Sequence, residues 1–356
     1  MAEPLAPQRR IVELDALRAL AAINLVLFHF THVYAVKFGY TTSLGFEWPY
    51  GAYGVEMFFI LSGFVNAMSL LRRKQPGNFL LARLIRIGPI FWIAIFANMW
   101  FMSMAPLDGE TVSTAQWLAN LTLMPRILGY DCVDPVMWTL QIEMLFYLIL
   151  TGLFVSGALK RPAVTWGVLV LTSLFICPLH DGWQTAGQSG FLAQSVGVLR
   201  RVLLLDFIPL FAIGFLLYMI KIGQGPKWRN LVGMLAAATV FHMIDHGKHN
   251  PLATALIIGL VTLSAYGKVP MLRMRFFVFI STISYALYLF HNNLGCVLIH
   301  RFDGAGVPPV AAFAIVLVFA FALATLVTTR VEQPISRFLR SRYLDARVAK
   351  AKQAVA

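Results

Sequence analysis

This sequence predicts an all-α fold: a polytopic membrane helix bundle of about ten transmembrane helices, with both termini cytoplasmic. Three observations predict it. Of the 356 residues, 59% are hydrophobic and only 13% are charged, whereas a soluble domain carries about 25% charged residues. Apolar runs of about 16 to 24 residues recur along the whole chain, long enough to cross a hydrocarbon core. The basic residues are also unevenly shared among the intervening segments, with 23 Lys and Arg in the segments predicted inside and 6 in those predicted outside. That positive-inside bias sets the orientation and favours an even number of spans.

The runs fall near residues 16–36, 52–71, 84–105, 136–156, 163–179, 200–222, 229–244, 252–266, 277–300 and 309–331. The first begins beside Arg18 and carries His29; it lacks a small-residue cleavage site, so it is expected to be retained. Arg72, Arg73 and Lys74 separate the second span from the third, which opens with Arg83 and Arg86. Lys160 and Arg161 close the fourth, Lys221, Lys227 and Arg229 lie between the sixth and seventh, and Lys268, Arg273 and Arg275 precede the ninth. All of these are predicted cytoplasmic. A shorter stretch at 117–128, interrupted by Pro125 and Arg126, is expected to lie at the interface. Residues 1–336 are expected to form one membrane domain, and 337–356 a basic segment on the cytoplasmic leaflet carrying Arg337, Arg340, Arg342, Arg347, Lys350 and Lys352.

A net charge of +13 raises the question of nucleic acid. The basic residues are dispersed among loops between apolar runs, which is a topology signal rather than a basic surface, so no nucleic-acid partner is expected. Cys132, Cys177 and Cys296 have neither metal-ligand spacing nor a disulfide pattern.

Topology allows depths to be compared. At helical rise His29 lies roughly 20 Å above the inner end of the first span, Glu143 roughly 10 Å below the outer end of the fourth, and His291 roughly 21 Å up the ninth. In a core about 30 Å thick these ionisable groups share a level in the outer half, where such groups face a cavity or the protein interior and mark a functional path. The plainer alternative is a buried histidine bonded to a neighbouring helix. At the cytoplasmic mouth, Arg18 meets the level of Arg83 and Arg86, which sit one turn apart on one helix face. Guanidinium forks suit phosphate oxygens; the alternative for each is an anchor on lipid head groups. A histidine with a carboxylate is suited to taking a proton from a hydroxyl as it attacks an acyl carbonyl, so the implied chemistry is acyl transfer from a cytosolic thioester to an acceptor reached from outside.

Six stretches carry a family resemblance: ELDALRALAAINLVLFHF near the start, GVEMFFILSGF from Gly54, ARLIRIGPIFW from Ala82, WTLQIEMLFY from Trp138, ISYALYLFH from Ile283 and VEQP from Val331. In this order they resemble the membrane acyltransferase-3 family, polytopic O-acyltransferases of surface polysaccharides and related acceptors. The resemblance implies an acyl-CoA donor, with acetyl-CoA expected, no metal, and a hydroxyl on a glycan as acceptor, in a bacterial cytoplasmic membrane. It also implies His29 as catalytic residue with Glu143, phosphate contacts from Arg18, Arg83 and Arg86, and a supporting or acceptor-binding role for His291. From their positions alone, His32 and Ser62 are further substrate-binding candidates, the alternative for His32, one turn beyond His29, being contact with interfacial water. Ala19 and Glu56 stand where the family usually has Gly and Asp, and Gln141 and Met144 are unusual neighbours for Glu143.

For Ser62 an acyl-enzyme nucleophile and a simple packing position next to Gly63 both remain open. Asp206, after Arg200 and Arg201, reads as a salt-bridge partner. His242, Asp245, His246 and His249 have metal-like content, yet they sit at a span end and in its loop. The alternative function is a proton-coupled exporter of a small molecule or glycan precursor using the His and Glu level, although the paired broken helices of two repeated halves are not evident in the sequence.

Overall fold

Prolines open many of the apolar runs, because the first helical residue needs no donor and the ring pre-sets φ. The computed structural model describes residues 11–73, 75–104 and 112–345, without the side chains of Arg73 and Met104. Every regular element among them is helical. In chain order these are α1 (Val12–Lys37), α2 (Gly54–Arg73), α3 (Pro76–Met104), α4 (Thr114–Leu121), α5 (Trp138–Val155), α6 (Pro162–Thr185), α7 (Phe191–Val202), α8 (Ile208–Lys221), α9 (Lys227–Ile244), α10 (Pro251–Ala265), α11 (Arg275–Phe290), α12 (Asn292–Gly304) and α13 (Pro309–Val327), which runs on in wider turns to Asp345. Ser113 caps α4 by accepting from Gln116 N at 3.2 Å, and Asn250 caps α10 by accepting from Leu252 N at 2.8 Å. Arg9, Arg10 and Lys74, and the tail residues Arg347, Lys350 and Lys352, lie outside the described residues.

Among the described residues six helices, α1, α2, α3, α5, α6 and α13, are long and apolar enough to cross a membrane, and α8, α10 and α11 are shorter apolar helices. The all-helical, multi-pass character therefore stands, without fixing the number of spans at ten. Two predicted runs are not single helices. The run at 200–222 is broken between α7 and α8, where Asp206 turns back to bind Arg200 Nε at 3.0 Å. The run at 277–300 is broken at His291 between α11 and α12. The stretch at 117–128 becomes the end of α4 and a single 3₁₀ turn at Pro125–Leu128.

The chain divides into two units, Met1–Arg18, Val55–Pro76 and Ile142–Val278 in the first, and Ala19–Gly54, Gly77–Gln141 and Phe279–Ala356 in the second. In the first, α8 is buried on every side from Ile208 to Met219. It meets α2 at two glycines. A Cβ on Gly63 would stand 2.2 Å from the Phe211 carbonyl oxygen, and one on Gly214 1.9 Å from that of Ile60. Small residues at such a crossing let two helices gain backbone-level van der Waals contact where lipid offers no hydrophobic drive for association. Aromatic rings fill the space beside the crossing: Phe146 stacks on Phe211 with centroids 3.9 Å apart, and Trp166 lies 5.1 Å from Phe215.

In the second unit, Phe30 of α1 packs edge-on to Phe313 of α13 and fills the space left by Gly295 of α12, where a Cβ would come within 2.4 Å of its ring. The loop after α1 is tied down by buried Asp303, which accepts from Thr41 N at 2.8 Å and Thr41 Oγ1 at 2.7 Å, and by Tyr40, which donates to the Phe30 carbonyl at 2.6 Å.

The glycine crossing predicts opposite signs for two alanine substitutions. Gly63→Ala should lower the thermal midpoint in detergent, corresponding to about 1–3 kcal/mol or more of overpacking. Gly152→Ala, with nothing within 4 Å of its Cβ position, should leave the midpoint unchanged or raise it.

Candidate active site

Residues 28–33 of α1, FHFTHV, form a π-helical turn, a widening often found where a helix carries functional side chains. It sets two histidines on the helix, the half-buried His29 and, one turn on, His32. His29 Nδ1 lies 2.7 Å from the Leu25 carbonyl oxygen and 3.2 Å from His291 Nε2. His291, 1% exposed, has its own Nδ1 2.9 Å from the Tyr288 oxygen and 3.1 Å from that of Leu287.

Backbone carbonyls can only accept, so both Nδ1 atoms carry the hydrogen. His291 Nε2 is then the unprotonated nitrogen and accepts from His29 Nδ1–H. By the same reasoning His29 Nε2 is unprotonated, and no bond among the described residues occupies it. This tautomer is inferred from the hydrogen-bond network. Two of the three groups predicted to share one level thus meet directly.

His291 is held there by Asp134, a residue that no spacing or motif in the sequence marks as part of the site. Asp134, fully buried, accepts from Asn292 Nδ2 at 2.9 Å, Asn293 N at 3.2 Å and Val136 N at 3.2 Å. Asn293 Nδ2 donates to the Val133 carbonyl at 3.0 Å. The carboxylate caps α12 from outside that helix and so stabilises the break at His291. Asp134 before Pro135 does carry a cap signature, but nothing in the chain's order says that it would cap a second helix, with a partner 158 residues on.

Glu143, the third predicted group, belongs to the first unit. It accepts from the Tyr147 hydroxyl one turn away, and from Ser62 Oγ at 3.4 Å. Asn66 Nδ2 donates to Ser62 Oγ at 2.8 Å and to the Ser62 carbonyl at 2.9 Å. Ser62 therefore sits in a polar chain from Asn66 to Glu143, and the packing role falls to its neighbour Gly63. Tyr147 stands in the WTLQIEMLFY block and carries the i+4 spacing from Glu143 that would have marked it.

Arg18 lies 3.6 Å from Asp15 in the first unit. In the second, Arg83 is buried with its guanidinium 5.3 Å from the Phe79 ring, and Arg86 is half-buried within electrostatic reach of Glu332. His32, three residues on from His29, pairs with Glu47 at 3.2 Å.

The histidine group near residue 245 disperses to separate partners: His246 to Asp181 at 3.0 Å, and His249 to Glu56 at 2.7 Å. Among the described residues no three metal-capable side chains are gathered. Arg200 bridges Asp181 and Asp206, as expected for a salt bridge. Burial pushes the Cys132 thiol up to about 11, so it is not a thiolate nucleophile at neutral pH.

Comparison with known proteins places these features in a family context. The model for the family described as "Acyltransferase domain" matches residues 11–329. The exopolysaccharide production protein ExoZ of Rhizobium meliloti (strain 1021) is 29% identical over 268 residues, covering 70% of this chain and 78% of that one. Nodulation protein 10 of Rhizobium leguminosarum bv. viciae is 29% identical over 220 residues, 53% of this chain and 59% of that one. A putative peptidoglycan O-acetyltransferase, YrhL of Bacillus subtilis (strain 168), is 26% identical over 191 residues, 46% of this chain and 28% of its own length. No solved structure matches.

Two measurements check this geometry. In ¹⁵N spectra of histidine-labelled protein at neutral pH, His29 and His291 should both show a protonated Nδ1 and an unprotonated Nε2; an Nε2–H signal for either refutes the network. The Glu56 partner raises the His249 pKa above its ordinary 6.5. A raised folded-state pKa means that the pair's stabilisation is complete below the unfolded value and fades as pH rises through the folded one. The thermal-midpoint gap between wild type and His249→Ala should therefore be largest near pH 6 and shrink on the alkaline side.

Proposed function

The chain belongs to the acyltransferase family whose domain model spans residues 11–329, and from that premise we propose that it moves an acyl group, acetyl in the first instance, from cytosolic acyl-CoA to a hydroxyl of an extracytoplasmic or lipid-linked glycan. The proposed setting is the bacterial cytoplasmic membrane. The observation that carries this reading is the His29–His291 contact, from which a tautomer with an unprotonated His29 Nε2 is inferred.

In the proposed reaction His29 Nε2 takes the proton of the acceptor hydroxyl as that oxygen attacks the thioester carbonyl. The imidazolium so formed keeps its Nδ1–H on the Leu25 carbonyl and on His291 Nε2, so the new charge arises where acceptors already stand. Collapse of the tetrahedral intermediate breaks the carbon–sulfur bond, and the departing CoA thiolate recovers the proton. Glu143, kept in place within the first unit by Tyr147 and Ser62, is proposed as the second catalytic residue. Arg18, Arg83 and Arg86, which the sequence topology puts at the cytoplasmic ends of their spans, are assigned the donor's phosphates, a task suited to guanidinium geometry. Two of the relatives support the glycan acceptor by name: one is an exopolysaccharide production protein and another a putative peptidoglycan O-acetyltransferase.

The test uses purified protein in nanodiscs with radiolabelled acetyl-CoA. Slow thiol release in wild type should be lost in His29→Ala, by about 10²-fold or more as expected for removal of a general base. The Arg83→Ala/Arg86→Ala double variant should weaken donor binding at least tenfold. Release that persists in His29→Ala sinks the mechanism, and donor affinity unchanged in the double variant removes the arginines' role. Neither binding nor release from folded wild type, with several acyl donors tried, favours the proton-coupled exporter.

A further inference from the structure

The loop that follows α1 is held rigidly and yet exposes aromatic side chains. Trp48 is pinned to the helix twice, its backbone N–H to Thr31 Oγ1 at 2.9 Å and its indole N–H to Asn24 Oδ1 at 2.9 Å. Gly51 packs so tightly on α1 that a Cβ would stand 2.1 Å from the Asn24 carbonyl oxygen. Despite this anchoring Trp48 is 39% exposed and Tyr50 is 65% exposed, and the two rings stand nearly perpendicular at 78° with centroids 5.8 Å apart. Glu47, next to Trp48 in the chain, reaches His32 at 3.2 Å, with both side chains partly open to solvent.

This corner is continuous with the candidate base. The Phe28 ring meets His29 edge-on at 5.2 Å and stacks on His32 at 5.5 Å, so Phe28 links the candidate base to the His32–Glu47 pair.

We propose that Glu47, Trp48 and Tyr50, with His32, form a saccharide subsite that seats one sugar ring of the acceptor while a hydroxyl of that ring or its neighbour reaches His29. The inference rests on the acyltransferase reading given above and names where its acceptor binds. A sugar ring has two requirements that this corner meets. Its C–H faces lie against the electron-rich faces of aromatic rings, and its hydroxyls need fixed acceptors and donors, which Glu47 and His32 supply. The Glu47 carboxylate disfavours an anionic occupant by like-charge repulsion, so the ring is a neutral one. An interfacial aromatic girdle also exposes Trp and Tyr, but it has no need of an indole N–H fixed to a helix side chain, nor of a carboxylate and an imidazole paired beside the rings.

The test measures CoA release by nanodisc-embedded protein at saturating acetyl-CoA, with cellotetraose and chitotetraose as saccharide probes. At least one tetrasaccharide should stimulate release with saturation. Glu47→Gln and Tyr50→Ala should each raise its KM about tenfold while radiolabelled acetyl-CoA binds with wild-type affinity, which verifies folding. Phe191→Ala, which removes an exposed aromatic of α7, should leave the saccharide KM unchanged. The subsite is overturned if neither tetrasaccharide stimulates release, if KM is unmoved in both loop variants, or if Phe191→Ala raises it equally. His29-dependent hydrolysis without saccharide, read in the same wild-type preparation, separates the two ideas. Its absence defeats the acyltransferase mechanism, whereas its presence with a flat KM defeats only the subsite.

Discussion

A buried carboxylate must be fully hydrogen-bonded or it becomes a liability of several kcal/mol, and Asp134 is where that constraint shapes the second unit. Its two oxygens take three donors, two of them at the start of α12. With those donors satisfied from outside, the apolar stretch from Arg275 has no reason to continue as one helix, and it breaks at His291. At the break His291 Nδ1 faces the Leu287 and Tyr288 carbonyls of the preceding turn, and Nε2 faces His29. The protonation pattern of the histidine pair is thus set by backbone carbonyls that accept from each Nδ1.

The first unit is governed by the opposite kind of residue. Gly63 and Gly214 carry no side chain, and the close approach of α2 and α8 depends on that. Ser62 precedes Gly63, so the register fixed by the glycine crossing also fixes where the Ser62 hydroxyl meets Asn66 and Glu143. Packing and polar chemistry are coupled here through a single residue step. Glu56, earlier on α2, is buried with Thr254 and His249 as partners, which accounts for a glutamate in an otherwise apolar run.

Much of this is legible in the chain. Composition and apolar run length determine the helical class, because in hydrocarbon only a helix satisfies its own backbone groups within one segment. Helical periodicity alone puts Arg83 and Arg86 one turn apart on one face. Depth along the spans brings His29 and His291 to one level, and the fold joins them at 3.2 Å. The Arg200–Asp206 pair is likewise readable, since its partners are close neighbours in the chain. The breaks at residues 203–207 and 291 are not legible, because an apolar run looks the same whether it is one helix or two.

What the sequence alone determined, therefore, is whatever depends on local spacing and on the cost of polar groups in an apolar solvent: the helical class, the multi-pass character and the identity of the ionisable side chains. Tertiary structure alone decided that His29 meets His291, which helix Asp134 caps, and that Glu47, next to Trp48, stands beside His32. Each of these is a hydrogen bond or a contact between segments that the chain's order leaves far apart or joins only through a loop. Its geometry is set by close packing and by the fixed directions of backbone carbonyls, which no residue-by-residue pattern encodes.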